Sequence, residues 1–192
     1  MQCEHPYRLF KNIDLAKYPQ GIDVPCGQCL LCRIARRKEW SMRMLHELAR
    51  HDDSVFLTLT YNDTNLPENG SLRRTDLQKF FKRLRKQLDK DGRKIRYFAC
   101  GEYGSQTQRP HYHAIIYGLS LRPQDKQLVM DCWKLCDWNP AIIKGAFGLV
   151  EADSIRYVAQ YIDKKYTGDL AETEYTLKGR DPVFKVQSLC LS

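Results

Sequence analysis

The chain has 192 residues, 43% of them hydrophobic, with 31 Lys and Arg against 23 Asp and Glu; this suits one sizeable domain, or one domain with an N-terminal appendage. No uninterrupted apolar run approaches a membrane span and the opening Met-Gln-Cys-Glu-His-Pro lacks a secretory signal's apolar core, so the expectation is an intracellular protein without a membrane partner, whose eight cysteines are metal ligands or ordinary thiols rather than a disulfide framework. The net charge of +8 is one block: between Arg73 and Arg96 lie eleven Lys or Arg and three Asp, a surplus equal to that of the whole chain, and its concentration points to an anionic partner.

The first chemical feature is Cys26-Gly-Gln-Cys29-Leu-Leu-Cys32, with Cys3 and His5 upstream. Closely spaced thiolates suit a soft metal, because a short loop lowers the entropy lost in gathering them. Structural Zn2+ needs four ligands, and the fourth, Cys3 for instance, lies far off in sequence. Zinc, free cysteines beside a helix start and an iron–sulfur cluster therefore all stay open. From Leu31 to about Arg50 the pattern is helical, with Ile34, Trp40, Met44 and Leu48 for a buried face and Arg33, Arg36, Arg37, Lys38 and Arg43 for solvent or phosphate. Residues 1–50 are expected as a Cys-containing helical appendage packed on the core, and residues 51–192 as the main domain.

Val55–Tyr61 alternates as a strand. After a polar turn over Asn62–Ser71, Thr75-Asp-Leu-Gln78 predicts a capping-box helix start. Leu77, Phe80, Phe81, Leu84 and Leu88 then form one stripe, and Lys79, Lys82, Arg83, Arg85 and Lys86 fill the remainder. A soluble amphipathic helix explains the stripe but not polar residues of a single sign, which repel one another and favour a polyanion. Arg73, Arg74 and these five residues are the candidates for DNA contact.

Between Gly101 and Gly118 lies the centre of the chain. His111–Tyr117 reads as a strand bounded by Pro110 and Gly118, so His111, His113, Ile115 and Tyr117 share one face, with Tyr112, Ala114 and Ile116 on the other. Ile95–Glu102 reads as a preceding strand. If the two form a hairpin through Tyr103–Pro110, Glu102 lies across from His111, and two imidazoles with one carboxylate make a divalent-metal site with open positions. The plain alternative is a pair of polar or hydrogen-bonded histidines.

Arg122–Trp138 is expected as a helix carrying Cys132, Trp133, Cys136 and Trp138, mainly for packing, although Cys132 and Cys136 at helical spacing could share a metal. Gly148–Ala152 reads as a short strand. A capped helix starting near Ser154 and running to Tyr166 then buries Ile155, Val158, Ala159 and Ile162, and aligns Tyr157 and Tyr161 on another face, continued by Lys164 and Lys165. Tyrosines at that spacing are ordinarily packing residues with a wet hydroxyl.

Taken together, the motifs change that reading. His111-Tyr112-His113 resembles the metal-binding segment of the HUH endonucleases, which nick single-stranded DNA with a tyrosine; Tyr112 fills the bulky U position. Glu102, nine residues before His111, resembles the third ligand of viral replication initiators. Val55–Tyr61 resembles their first motif, and Tyr157-x-x-x-Tyr161-x-x-Lys164 the third motif of two-tyrosine initiators. With Cys26-Gly-Gln-Cys-Leu-Leu-Cys-Arg33, the set is similar to the rolling-circle initiators of small single-stranded DNA phages, nearest the gokushovirus-type replication-associated proteins of the microviruses. The resemblance runs from Cys26 to about Lys165. It implies an α+β fold, a ferredoxin-like or RNA-recognition-motif-like palm with a central antiparallel sheet backed by helices. It also implies Mg2+ or Mn2+ on Glu102, His111 and His113, and attack by Tyr157 and Tyr161 on origin DNA assisted by Lys164 or Lys165. A basic helix bordering the groove, help from the host replication machinery and action in the bacterial cytoplasm complete the expectation. Members commonly run well past the tyrosine helix, whereas this chain ends at Ser192, which suggests a shortened product without helicase or partner-docking functions. Three alternatives remain: a plasmid-type relaxase with the same chemistry, a non-catalytic zinc-bearing DNA-binding protein, and a metal-dependent nuclease using activated water.

Overall fold

The structure, a computed structural model, describes residues 3–161 and 169–188. The chain divides into two compact units, Met1–Trp40 and Ser41–Ser192. In the first, β1 (Tyr7–Leu9) and β2 (Ile22–Val24) form an antiparallel hairpin with Tyr7 opposite Val24. The boundary between units falls inside helix α1 (Leu30–Leu48).

The second unit is built on a five-stranded antiparallel sheet of order β6-β3-β5-β4-β7, with β3 at Ser54–Thr60, β4 at Arg96–Tyr103, β5 at Pro110–Tyr117, β6 at Phe147–Gly148 and β7 at Phe184–Gln187. Helix α2 (Arg74–Leu88) joins β3 to β4, and α3 (Pro123–Cys132) and α4 (Pro140–Ala146) join β5 to β6. Without the edge strand β7 this is the split β-α-β order of ferredoxin-like folds, and the α+β expectation holds. Alternation explains it. Val55, Leu57 and Leu59 of β3 share a face with Ala99, Tyr112, Ala114 and Ile116, and on them pack Leu77, Phe80, Phe81, Leu84 and Leu88 of α2 and Val129 and Cys132 of α3. Gly101 lets Leu72 and Phe184 pack closely on that face, since a Cβ there would meet Leu72 Cδ2 at 2.9 Å and the Phe184 ring at 3.2 Å.

Several expected elements differ in detail. The Thr75–Gln78 capping box does not form: α2 starts at Arg74, and its N-cap Arg73 makes no side-chain cap. The start is fixed from the sheet instead, where the buried Tyr112 hydroxyl accepts from Arg73 N at 2.9 Å, donates to Arg73 O at 3.1 Å and lies 2.7 Å from the Tyr61 hydroxyl, which donates to Asp76. The helix expected over Arg122–Trp138 ends at Cys132, because Trp133 turns aside to donate its Nε1 to Thr60 O at 2.7 Å and Asn62 N bonds Leu135 O. Asn139 then caps α4, absent from the expectation, through Ile142 N, with Pro140 in its first turn. The strand expected over Gly148–Ala152 is only Phe147–Gly148, since Ala152 already begins α5 (Ala152–Gln160). Glu151 is the cap of α5, with Ser154 its capping-box partner at the third helical position rather than the cap itself. Residues 169–171 (α6) and a π-helical turn over Glu172–Thr176 lead to β7. No helix among the described residues is long and apolar enough to cross a membrane.

Candidate active site

The second face of the sheet gathers the candidate site residues. Antiparallel pairing sets Glu102 of β4 opposite His111 of β5, and Thr58 of β3 opposite His113. Both imidazole Nε2 atoms converge on Glu102 Oε1, at 2.7 Å from His111 and 3.1 Å from His113. One ligand atom from each residue lies within 4.8 Å of the others. Burial works to raise the Glu102 carboxyl, but hydrogen bonds from His111 and His113 outweigh it and hold it far below the usual carboxylate range. The opposite ring nitrogens are also engaged: His111 Nδ1 donates to Arg109 O at 3.2 Å, and His113 Nδ1 lies 3.1 Å from Thr58 Oγ1. Such outer contacts fix ring orientation and leave Nε2 for an ion. Two imidazoles and one carboxylate, each oriented, fit a hard or borderline divalent cation with open positions.

Helix α5 crosses this cluster. The Tyr157 hydroxyl is 3.4 Å from His113 Nε2, and the Tyr157 ring meets Phe56, His113 and Tyr161 edge-on at centroid distances of 6.2, 5.2 and 5.1 Å. Tyr161 stacks on His113 at 5.6 Å. The two phenols differ in access, Tyr157 being 40% exposed and Tyr161 only 6%. Burial, then the hydrogen bond with Tyr157 and the Glu102 charge, push the Tyr161 phenol well above its ordinary value. Phe56 also stacks on His113, at 5.6 Å. Phe56 and Thr58 went unassigned in the sequence; the usable signal was their alternation with the apolar residues of Val55–Tyr61, which sets them on the face opposite Val55, Leu57 and Leu59, and it is the pairing of β3 with β5 that makes this the histidine face.

Other candidates lie elsewhere. Lys164 and Lys165 are outside the described residues. The apolar stripe of α2 sits on the Tyr112 face, so Lys79, Lys82, Arg85 and Lys86 face solvent on the side of the sheet away from Glu102, and the basic helix does not border the histidine groove. Arg83 donates to Cys132 O at 2.8 Å, Arg74 lies over the Phe184 ring and Arg85 over the Tyr97 ring; Arg73 contributes backbone bonds to Tyr112. Cys136 leaves the helix that was to align it with Cys132 and instead contacts Thr60 Oγ1 at 3.4 Å. In the first unit, Cys3, Cys26, Cys29 and Cys32 gather with their sulfurs within 4.8 Å of one another. Amides of Glu4 and Cys32 bring the Cys29 thiol down to about 6, while burial pushes Cys32 up to about 12.

Residues 54–166 match the family model of the replication-associated protein ORF2 type. Among curated relatives, replication-associated protein VP4 of Bdellovibrio phage phiMH2K is 36% identical over 82% of this chain and 53% of its own length. Replication-associated protein ORF2 of Spiroplasma virus 4 is 32% identical over 83% and 55%, and replication-associated protein ORF4 of Chlamydia phage 1 is 28% identical over 81% and 42%. The chain thus spans about half the length of the curated relatives it matches. No solved structure gives a significant match.

Proposed function

This chain belongs to the replication-associated protein ORF2 family, and from that membership and the geometry around Glu102 we propose that it is a replication initiator that nicks single-stranded origin DNA by tyrosine attack. The observation that carries the reading is an exposed phenol, Tyr157, with its oxygen 3.4 Å from a nitrogen of the Glu102–His111–His113 cluster. Glu102, His111 and His113 would hold Mg2+ or Mn2+, which when bound polarises the scissile phosphate and offsets charge in the transition state. The Tyr157 oxygen bonds to phosphorus as the bond from phosphorus to the 3′ oxygen breaks. The phenolic proton leaves to solvent or a nearby base, and the departing 3′ oxygen takes up a proton. The products are a 5′-phosphotyrosine and a 3′ hydroxyl that a polymerase of the bacterial host extends. Tyr161, buried against His113, attacks in a second cut after α5 shifts, and strand transfer closes the circle.

Cations on α2 contact a segment of DNA other than the one at Tyr157, since they lie across the sheet from it.

The test is incubation of the full chain with single-stranded origin DNA and Mn2+, followed by denaturation. An adduct that survives denaturation, lost by at least about a thousandfold in Tyr157→Phe, supports the proposal. Cut ends without attached protein would instead mark a water-activated nuclease, and no cleavage at all a DNA-binding protein.

A further inference from the structure

The first unit poses a stability problem that its cysteines answer. Among its described residues only Trp40 is buried, and units of about 40 residues without a core usually need a disulfide or a metal. The sulfurs are too far apart for disulfides, which need about 2 Å: Cys3 Sγ lies 3.9 Å from Cys29 Sγ, and Cys26 Sγ 4.0 Å from Cys32 Sγ. A tetrahedral ion with metal–sulfur bonds of about 2.3 Å separates its sulfurs by roughly 3.8 Å, close to both spacings. An iron–sulfur cluster spreads its cysteines over several irons and would part some pairs beyond the 4.8 Å that encloses these four.

The surrounding backbone is arranged for thiolates. Cys26 N donates to Cys3 Sγ at 3.2 Å, while Gln28 N and Cys29 N donate to Cys26 Sγ at 3.4 and 3.3 Å. Gly27 makes that turn at φ +74°, and its carbonyl accepts from Arg36 Nη2 at 3.1 Å. Pairing of Tyr7 with Val24 returns the chain so that Cys3, some twenty residues away in sequence, meets the Cys26–Cys32 segment. His5, the other upstream candidate, is not in the group. A donor set of sulfur alone excludes Mg2+ and Ca2+ and selects Zn2+ or iron.

We propose that Cys3, Cys26, Cys29 and Cys32 bind one structural Zn2+ as a tetrathiolate centre that clamps the β1–β2 hairpin to the first turn of α1. The ion displaces whatever protons the four thiols carry. The proposal does not rest on the strand-cutting reading, because the site shares no residue with Glu102, His111 and His113. The test is metal analysis and zinc X-ray absorption on the full chain, purified under reductant and dialysed against EDTA. The expected result is one Zn2+ per chain with a single shell of four sulfurs at about 2.3 Å, lost in Cys29→Ser and kept in His113→Ala. Nitrogen or oxygen in that shell, iron in place of zinc, or zinc kept by Cys29→Ser and lost from His113→Ala would overturn it. Should Cys29→Ser fail to fold, absorption by the unaltered chain decides alone.

Discussion

Thr58→Val probes the Glu102–His111–His113 site without altering a ligand. The replacement keeps the branched shape in β3 but removes the hydroxyl 3.1 Å from His113 Nδ1. The His113 side chain is only 7% exposed, so water does not readily replace the lost partner. One such hydrogen bond contributes about 1 kcal/mol net, and loss of a contact that orients a ligand histidine weakens metal binding by about 10–100-fold. The Arg109 carbonyl still holds His111 and both imidazoles remain, which puts the expected loss near the low end, about tenfold or ~1.4 kcal/mol. The assay is Mn2+ titration of the full chain, followed by the electron paramagnetic resonance of the free ion. Thr58→Ser should restore affinity. The Mn2+ concentration needed for half-maximal DNA adduct should rise by the same factor, while the yield at saturating Mn2+ is preserved. Unchanged Mn2+ affinity in a folded Thr58→Val chain, or an equal loss in Thr58→Ser, would refute the positioning role.

Replacing Lys82, Arg85 and Lys86 together by Gln should lower the slope of log affinity for single-stranded DNA against log salt by about 2, from roughly 0.7 per phosphate contact, with adduct formation unchanged at saturating short oligonucleotide. Filter binding across a salt series checks the first outcome and gel analysis of the adduct the second. Tyr112→Phe removes a hydroxyl bonded to the start of α2 in a fully buried position, and should cost about 2 kcal/mol in denaturant unfolding while leaving Mn2+ affinity intact. Burial works to raise Asp125, but hydrogen bonds from Arg93 and Ser120 prevail and lower it from 3.8 to about 2, worth about 2 kcal/mol at 1.36 kcal/mol per unit. A depressed carboxyl stabilises above its unfolded pKa and loses that contribution as pH falls through the folded one. Asp125→Asn should therefore be about 2 kcal/mol less stable at pH 6, with the gap closing between about pH 4 and pH 2, as denaturant unfolding at each pH will report.

The parts of the site readable from sequence were those that local periodicity controls. Period-two alternation puts His111 and His113 on one face whatever lies around them, and a hairpin between adjacent strands needs only a register to bring in Glu102. Four-residue spacing on α5 likewise aligns Tyr157 with Tyr161. Long-range pairing was not readable. Thr58 meets His113 only because β3, 55 residues earlier in sequence, lies beside β5, and Cys3 joins Cys26 only through the β1–β2 return. Helix ends failed for the same reason: Tyr112 and Trp133, bonded to Arg73 and Thr60, override the local signals at Thr75 and beyond Cys132.

The position of α2 could not come from composition either, since a stripe of leucines and phenylalanines buries equally well on either face of a sheet. Connectivity decides it: in the split β-α-β order both crossovers pack on one face, so α2 and α3 cover the Tyr112 side and leave the histidine side to α5. The separation has an electrostatic consequence. Packed layers lie about 10 Å apart and a helix with its side chains adds roughly 5 Å, which puts the outward cations of α2 beyond the screening length of about 8 Å at physiological salt. Their charge therefore contributes little to the field at Tyr157; under the proposed mechanism, positive charge there would come from an ion held by Glu102, His111 and His113 and from groups on that face.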